Sequence, residues 1–131
     1  MPDHTLIDFR DLPNYLEDEG GEFMMGRKAL ASTQVGVTWI RLAPGGSTQG
    51  DKGHYHDEQD EVYVVVSGGP VEIRVGDDSL ELSAGHAVRV GAGVMHGVRN
   101  RGEEAILIAA SGQLPEGGDD SHPVADWWKG D

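Results

Sequence analysis

The apolar positions of the chain recur at short range and with a period of two. In Val71-Glu72-Ile73-Arg74-Val75 every second residue is apolar and the residues between are charged, the pattern of a strand with one buried and one wet face. Gly76-Asp77-Asp78-Ser79 follows as a hairpin turn and returns the chain into Leu80-Glu81-Leu82. The same rhythm predicts strands at Val62 to Val66, Ala87 to Val90, Val94 to Asn100 and Ala105 to Ala110. Earlier strands are predicted at Phe23 to Leu30 and Gln34 to Leu42, where β-branched and aromatic residues are dense. No segment sustains a helical period. Closely spaced short strands between Gly-rich turns predict an all-β sandwich or barrel.

The two ends break this rhythm. Residues 1–20 are polar and acidic, with Leu6, Ile7, Phe9, Leu12 and Leu16 scattered among them, and read as an arm lying on the barrel or on a second subunit. A short helix is expected to open at Pro13. Residues 21–111 form the β-barrel domain, and residues 112–131 form a Gly- and Asp-rich tail that ends near Trp127-Trp128. Those indoles are expected to dock the tail onto the barrel or a neighbouring subunit. At 131 residues the chain supports one core rather than two.

Charge narrows the partners. Twenty-three acidic residues against ten Lys plus Arg give a formal charge of −13. Such a surface repels phosphate backbones and anionic membranes, so neither nucleic acid nor a membrane is expected as a partner. The N-terminus lacks a basic segment followed by an apolar stretch, and the longest apolar run, Ala105 to Ala110, is too short to span a bilayer, so the expected location is cytoplasmic. The absence of cysteine excludes disulfides, thiolate metal sites and a Cys nucleophile. Any metal must be held by His and carboxylate.

The densest group of such ligands is His54-Tyr55-His56-Asp57-Glu58-Gln59-Asp60-Glu61. His54 and His56 share a face if the segment is extended, which makes half of a metal site. His96, in a second Gly-rich turn, is the best-placed distant donor. Three imidazoles and a carboxylate suit Fe(II) or Mn(II) first, with Ni(II), Zn(II) and Cu(II) as alternatives, and leave positions free for substrate or dioxygen. Strict alternation puts Glu58 and Asp60 on the histidine face and Glu61 on the other, so Glu61 is a ligand only if the chain turns within Asp57 to Asp60. Spacing leaves that choice open.

From about Gly45 to Asn100 the chain resembles the cupin family, small metal-binding β-barrels with a double-stranded β-helix, or jelly-roll, fold. His54, His56, Glu61 and Gly68 match the spacing of the family's first motif, and Gly85, Gly93, His96 and Asn100 match its second. Thr48 stands where the first motif opens with glycine, and Gly91 where the second has proline. The resemblance implies one divalent metal held by His54, His56, Glu61 and His96, and a homodimer. It leaves the reaction open, because the family spans oxidative, isomerising and non-catalytic members.

Residues around the site suggest three functions. The first is a dioxygenase-like enzyme, similar to the small quercetinase-like cupins, acting on a small organic substrate, with Glu61 and Tyr63 handling a proton. An apolar cavity walled by Val65, Ile73, Val88, Val90, Met95 and Val98 is expected to receive that substrate. The second is a sugar phosphate isomerase, because Asp51-Lys52-Gly53-His54-Tyr55-His56 is similar to a stretch of the cupin-type phosphoglucose isomerases; Lys52 would hold the phosphate. The third is a metal-containing small-molecule sensor without turnover. His4, His86 and His122 are expected at the surface, His4 and His122 in flexible ends, and Asn100 is expected to bond the backbone of the turn after it.

Overall fold

The computed structural model describes residues 3–16 and 20–129. The arm assigned to residues 1–20 therefore includes positions 1, 2 and 17–19 that lie outside the described residues, as do positions 130 and 131 of the tail. No helix opens at Pro13. Among the described residues a 3-10 turn lies upstream instead, at Phe9–Asp11, because the Asp8 carboxylate accepts the Arg10 N–H and caps it. Asn14 then takes the Leu16 and Phe23 amides on its side-chain oxygen, which brings Leu16 into the core.

Strand β1, Glu22–Met25, pairs antiparallel with β2, Gly36–Leu42. The strand expected over Phe23 to Leu30 stops at Gly26, and Arg27–Leu30 form a one-turn helix, α1. Arg, Lys, Ala and Leu are all good helix formers, and Ala31 closes the turn in the left-handed region at φ 55°. The turn carries the Arg27 side chain across Gly36, where it donates to Ser111 Oγ at 3.0 Å and to the Gly112 carbonyl at 2.5 Å.

The remaining strands are β3, Gly53–His56; β4, Glu61–Val75; β5, Asp78–Leu82; β6, Ala87–Val90; β7, His96–Ser111; and β8, Ser121–Val124. Two pairs of expected strands are continuous. Val62 to Val66 and Val71 to Val75 both belong to β4, and Val94 to Asn100 runs on with Ala105 to Ala110 as β7. Each bends instead of ending: the β4–β7 register shifts three times between Val65 and Val71. Here the backbones cross at close range, since a Cβ at Gly68 would overlap the Glu104 carbonyl and one at Gly102 the Gly69 carbonyl.

The sheet runs in the order β1-β2-β7-β3-β8, while β4 pairs with β5, β6 and β7. It curls into an all-β barrel. Alternation fills it as expected: Val71 and Ile73 of β4, Val98, Ala105 and Leu107 of β7, and Ile40 and Leu42 of β2 are buried to within 1%. Burying each large aliphatic side chain contributes roughly 1.5–3 kcal/mol. Asn100, equally buried, donates to the Leu42 and Glu103 carbonyls and accepts the Gly102 N–H, the turn-bonding role expected of it.

The tail folds onto the barrel. Strand β8 pairs with β3 at the sheet edge, where Pro123 is tolerated because the edge needs no further N–H. His122 is consequently not in a loose end: it stacks on Tyr55 at 4.9 Å and reaches Asp57 at 2.7 Å. Trp128 is buried under Arg99 and Arg74, whose guanidinium carbons lie 4.1 and 4.9 Å from its ring centre. Among the described residues no helix is long and apolar enough to cross a membrane.

Candidate metal centre

The alternation of β3 puts His54 and His56 on one face, and the chain then leaves the ladder for four polar residues. It re-enters as β4 with Glu61 buried, whereas Glu58 and Asp60 point to solvent. The parity conflict is thus resolved by a turn at residues 57–60. Glu61 is the carboxylate on the histidine face. Across the barrel the second Gly-rich turn ends at His96, which opens β7 directly opposite His54 in the β3–β7 pairing.

Three imidazoles converge on one oxygen. The Nε2 atoms of His54, His56 and His96 lie 2.8, 2.7 and 3.1 Å from Glu61 Oε1. His54, Glu61 and His96 are all buried, with ligand atoms within 4.8 Å of one another. Burial alone would push the Glu61 carboxyl up, but its bonds to the three rings outweigh this and hold it well below the usual carboxylate range. For His56, burial opposes the charge, yet Glu61 and Asp120 on its two sides raise it to about 9.

The hydrogen bonds around the group show that a cation fits it. His56 donates Nδ1–H to Asp120 Oδ1 at 2.8 Å, and His96 donates Nδ1–H to the Val94 carbonyl at 3.0 Å. A neutral ring that holds its proton on Nδ1 presents a lone pair at Nε2, facing the lone pairs of Glu61 Oε1. Lone pairs at these separations repel unless protons or a shared cation lie between them. His54 Nδ1, also buried, meets no partner among the described residues. The His/Glu group is able to hold a metal, and the donor set suits a divalent transition ion.

Tyr63 stands between the hydrophobic core and the His/Glu group. Its ring packs in the hydrophobic core, while its hydroxyl lies 3.3 Å from Glu61 Oε2 and 3.2 Å from His96 Nε2. Burial, reinforced by the Glu61 charge, raises its pKa, so the phenol keeps its proton and donates to Glu61.

Other expected participants stand apart. Val65, Ile73, Val90 and Val98 pack together in the core with Val88 against them, rather than walling an open cavity, and Met95 is 43% exposed. Lys52 is exposed on the turn it closes with Gln49. His4 and His86 are exposed. A surface groove of ≈ 680 Å³ lined by Leu6, Ile7, Phe9, Met24 and Trp39 shares no residue with the His/Glu group. Asp120 is the contributor that sequence reasoning missed: it lies 64 residues from His56, in a tail whose many acids and glycines give no periodic signal.

The fold and the site define the class: a small antiparallel β-barrel with His54, Glu61 and His96 placed to hold a metal. The Cupin domain family matches residues 38–110, and the chain belongs to that family. Among solved structures, the chain is similar to a protein of Thermus thermophilus at 28% identity and a TM-score of 0.65, over 84% of this chain and 98% of the other. It is similar to a sugar phosphate isomerase of the cupin superfamily from Silicibacter pomeroyi at 26% identity and a TM-score of 0.64, over 79% and 67% of the two chains. Oxalate decarboxylase from Bacillus subtilis shares the fold at 19% identity and a TM-score of 0.74, over 95% of this chain but 33% of the decarboxylase. No curated protein matches the chain.

Proposed function

We propose that the protein is a metal-dependent enzyme with dioxygenase-like chemistry on a small organic substrate, its ion held by His54, His56, Glu61 and His96. The supporting observation is the convergence of three Nε2 atoms on Glu61 Oε1 at 2.7–3.1 Å. When bound, the ion supplies Lewis acidity toward a substrate oxygen and, if it is iron, manganese or copper, redox chemistry with dioxygen. The chain's own groups hold the donors and manage protons. Asp120 and the Val94 carbonyl keep His56 and His96 in the Nδ1–H tautomer, so that Nε2 stays a donor. Glu61 Oε2 is the basic atom next to the centre, and the Tyr63 hydroxyl is the proton-bearing group beside it.

The test is oxygen uptake by protein reconstituted with Fe(II) or Mn(II), against catechol-type and flavonol-type substrates. Uptake matched to substrate loss, and absent from the His54→Ala/His96→Ala protein, is the expected result. Metal-loaded protein that consumes no oxygen with any of these substrates overturns the dioxygenase reading.

A second reading, sugar phosphate isomerase, is favoured by the 26% identity to the Silicibacter pomeroyi protein. Isomerisation of a sugar phosphate by the loaded protein, lost in Lys52→Ala, would establish it. Metal uptake without turnover in either assay would leave a small-molecule-binding protein. The proposed active form is a cytoplasmic homodimer that covers the exposed Leu6, Met25 and Val35 around edge strand β1. Sedimentation reads its mass.

A further inference from the structure

We infer that the C-terminal tail is a working part of the metal centre. Asp120 is a positioning residue that aims His56 and the turn delivering Glu61, so that tail docking and ion binding are coupled. This rests on the assignment of His54, His56, Glu61 and His96 as ligands.

The Asp120 carboxylate is buried, and both of its oxygens are engaged. Oδ1 accepts Nδ1–H of His56 at 2.8 Å, and Oδ2 accepts the backbone N–H of Glu58 at 2.7 Å and of Gln59 at 3.2 Å. The Asp120 carbonyl also accepts the Asp57 N–H at 3.3 Å. One residue of the tail thus fixes the ring of one ligand and the first three residues of the turn that resets parity before Glu61. Without that turn Glu61 would face away from the histidines.

The other two histidines are braced through their neighbours. Trp127 lies against Gly53 and Gly97, which flank His54 and His96: a Cβ at either glycine would stand 2.8 or 2.7 Å from its ring. The Trp127 backbone N–H donates to the Asp51 carbonyl at 2.9 Å, and its own carbonyl accepts Arg74 Nη1 at 2.5 Å. The β3–β8 ladder runs between these contacts, from Gly53↔Val124 to His56↔Ser121. The tail therefore backs each of the three histidines, and reciprocity requires that an ion favouring the aimed rings also favours the docked tail.

The test titrates Co(II) into chelator-treated full-length protein. It reads affinity by competition, the visible spectrum of bound Co(II), and hydrogen exchange of residues 119–128 with and without the ion. Asp120→Ala is expected to bind roughly 10- to 100-fold more weakly than wild type and with an altered spectrum. Asp120→Asn, which retains one acceptor oxygen, is expected to fall between, and it is the deciding variant if Asp120→Ala does not fold. Tail amides are expected to exchange more slowly in the Co(II)-loaded wild type. Variants that melt at lower temperature but keep wild-type affinity and spectrum overturn the inference, as does tail exchange unaffected by Co(II). Wild-type protein that takes up no Co(II) overturns the ligand assignment itself, an outcome read before any variant is made.

Discussion

Glu61 and His96 touch although they occupy opposite ends of one β-ladder. The β4–β7 register runs from Glu61↔Ser111 to Val75↔His96, yet Glu61 Oε1 and His96 Nε2 are 3.1 Å apart. The ladder curls until its ends meet, and its bend is concentrated in the shifted register between Val65 and Val71. Curvature assembles the centre.

Gly68→Ala tests that bend. The residue has φ 73°, and its Cβ would overlap the Glu104 carbonyl, so the substitution meets both backbone strain and a clash with main chain that cannot rotate away. The expected loss is about 2–4 kcal/mol of unfolding free energy, read from urea denaturation. Metal affinity should fall with it, because the distance between Glu61 and His96 depends on the bend. A midpoint equal to wild type would show that the corner does not need glycine.

Ligand removal should separate occupancy from folding. Elemental analysis is expected to give about one divalent ion per chain for wild type and none for His54→Ala/His96→Ala. Stripping wild type with a chelator should lower its melting temperature, since an ion at 100 times its dissociation constant stabilises by about 2.7 kcal/mol. The double variant should not respond to the chelator at all. Equal metal content in both proteins would place the ion elsewhere.

The histidines of this site were legible because a motif spacing survives folding: His54 and His56 share parity in a short strand, and His96 follows its own Gly-rich turn. Glu61 was legible only with the family resemblance, since alternation alone favours Glu58 or Asp60, and the turn that overrules alternation is held by Asp120. That contact lies outside any local pattern. The two long strands look like four in the sequence because a bulge and a strand end leave the same glycine-rich trace, and the one-turn helix at Arg27–Leu30 is too short to show a period. Strand β8 contains a proline and takes its order from β3, so nothing in its own four residues announces it.

Tyr63→Phe keeps the ring in the core and removes the hydroxyl that donates to Glu61 Oε2. In the metal-free protein the buried Glu61 Oε2 loses that donor, which should cost about 1–3 kcal/mol. Metal content should stay near that of wild type, since no ligand is lost. Turnover of any substrate identified should fall by roughly 100-fold or more if the phenol handles a proton. Full turnover in this variant would reduce Tyr63 to a packing residue.

The pH dependence of the metal-free protein and that of its metal affinity should run in opposite directions. In chelated protein, Glu61 and Asp120 raise the pKa of His56 from its ordinary 6.5 to about 9, overcoming the opposing effect of burial. A raised pKa means that the folded state holds the proton more tightly than the unfolded chain. The stabilisation is therefore complete below about 6.5 and is lost as pH rises toward 9. Glu61 and Asp120 have lowered values, so their contributions are complete above the ordinary carboxylate values of 4.5 and 3.8 and are lost as pH falls below these toward the lowered ones. The melting temperature of the chelated protein should therefore decline from pH 6.5 to pH 9. Metal binding must displace the His56 proton, so affinity should rise over the same interval and level off near pH 9. Thermal melts in chelator and in excess Zn(II), at matched pH values, measure both. The two curves should diverge with increasing pH, and His56→Gln should remove the decline in chelator. Parallel curves in wild type would mean that His56 carries no proton that the ion must displace.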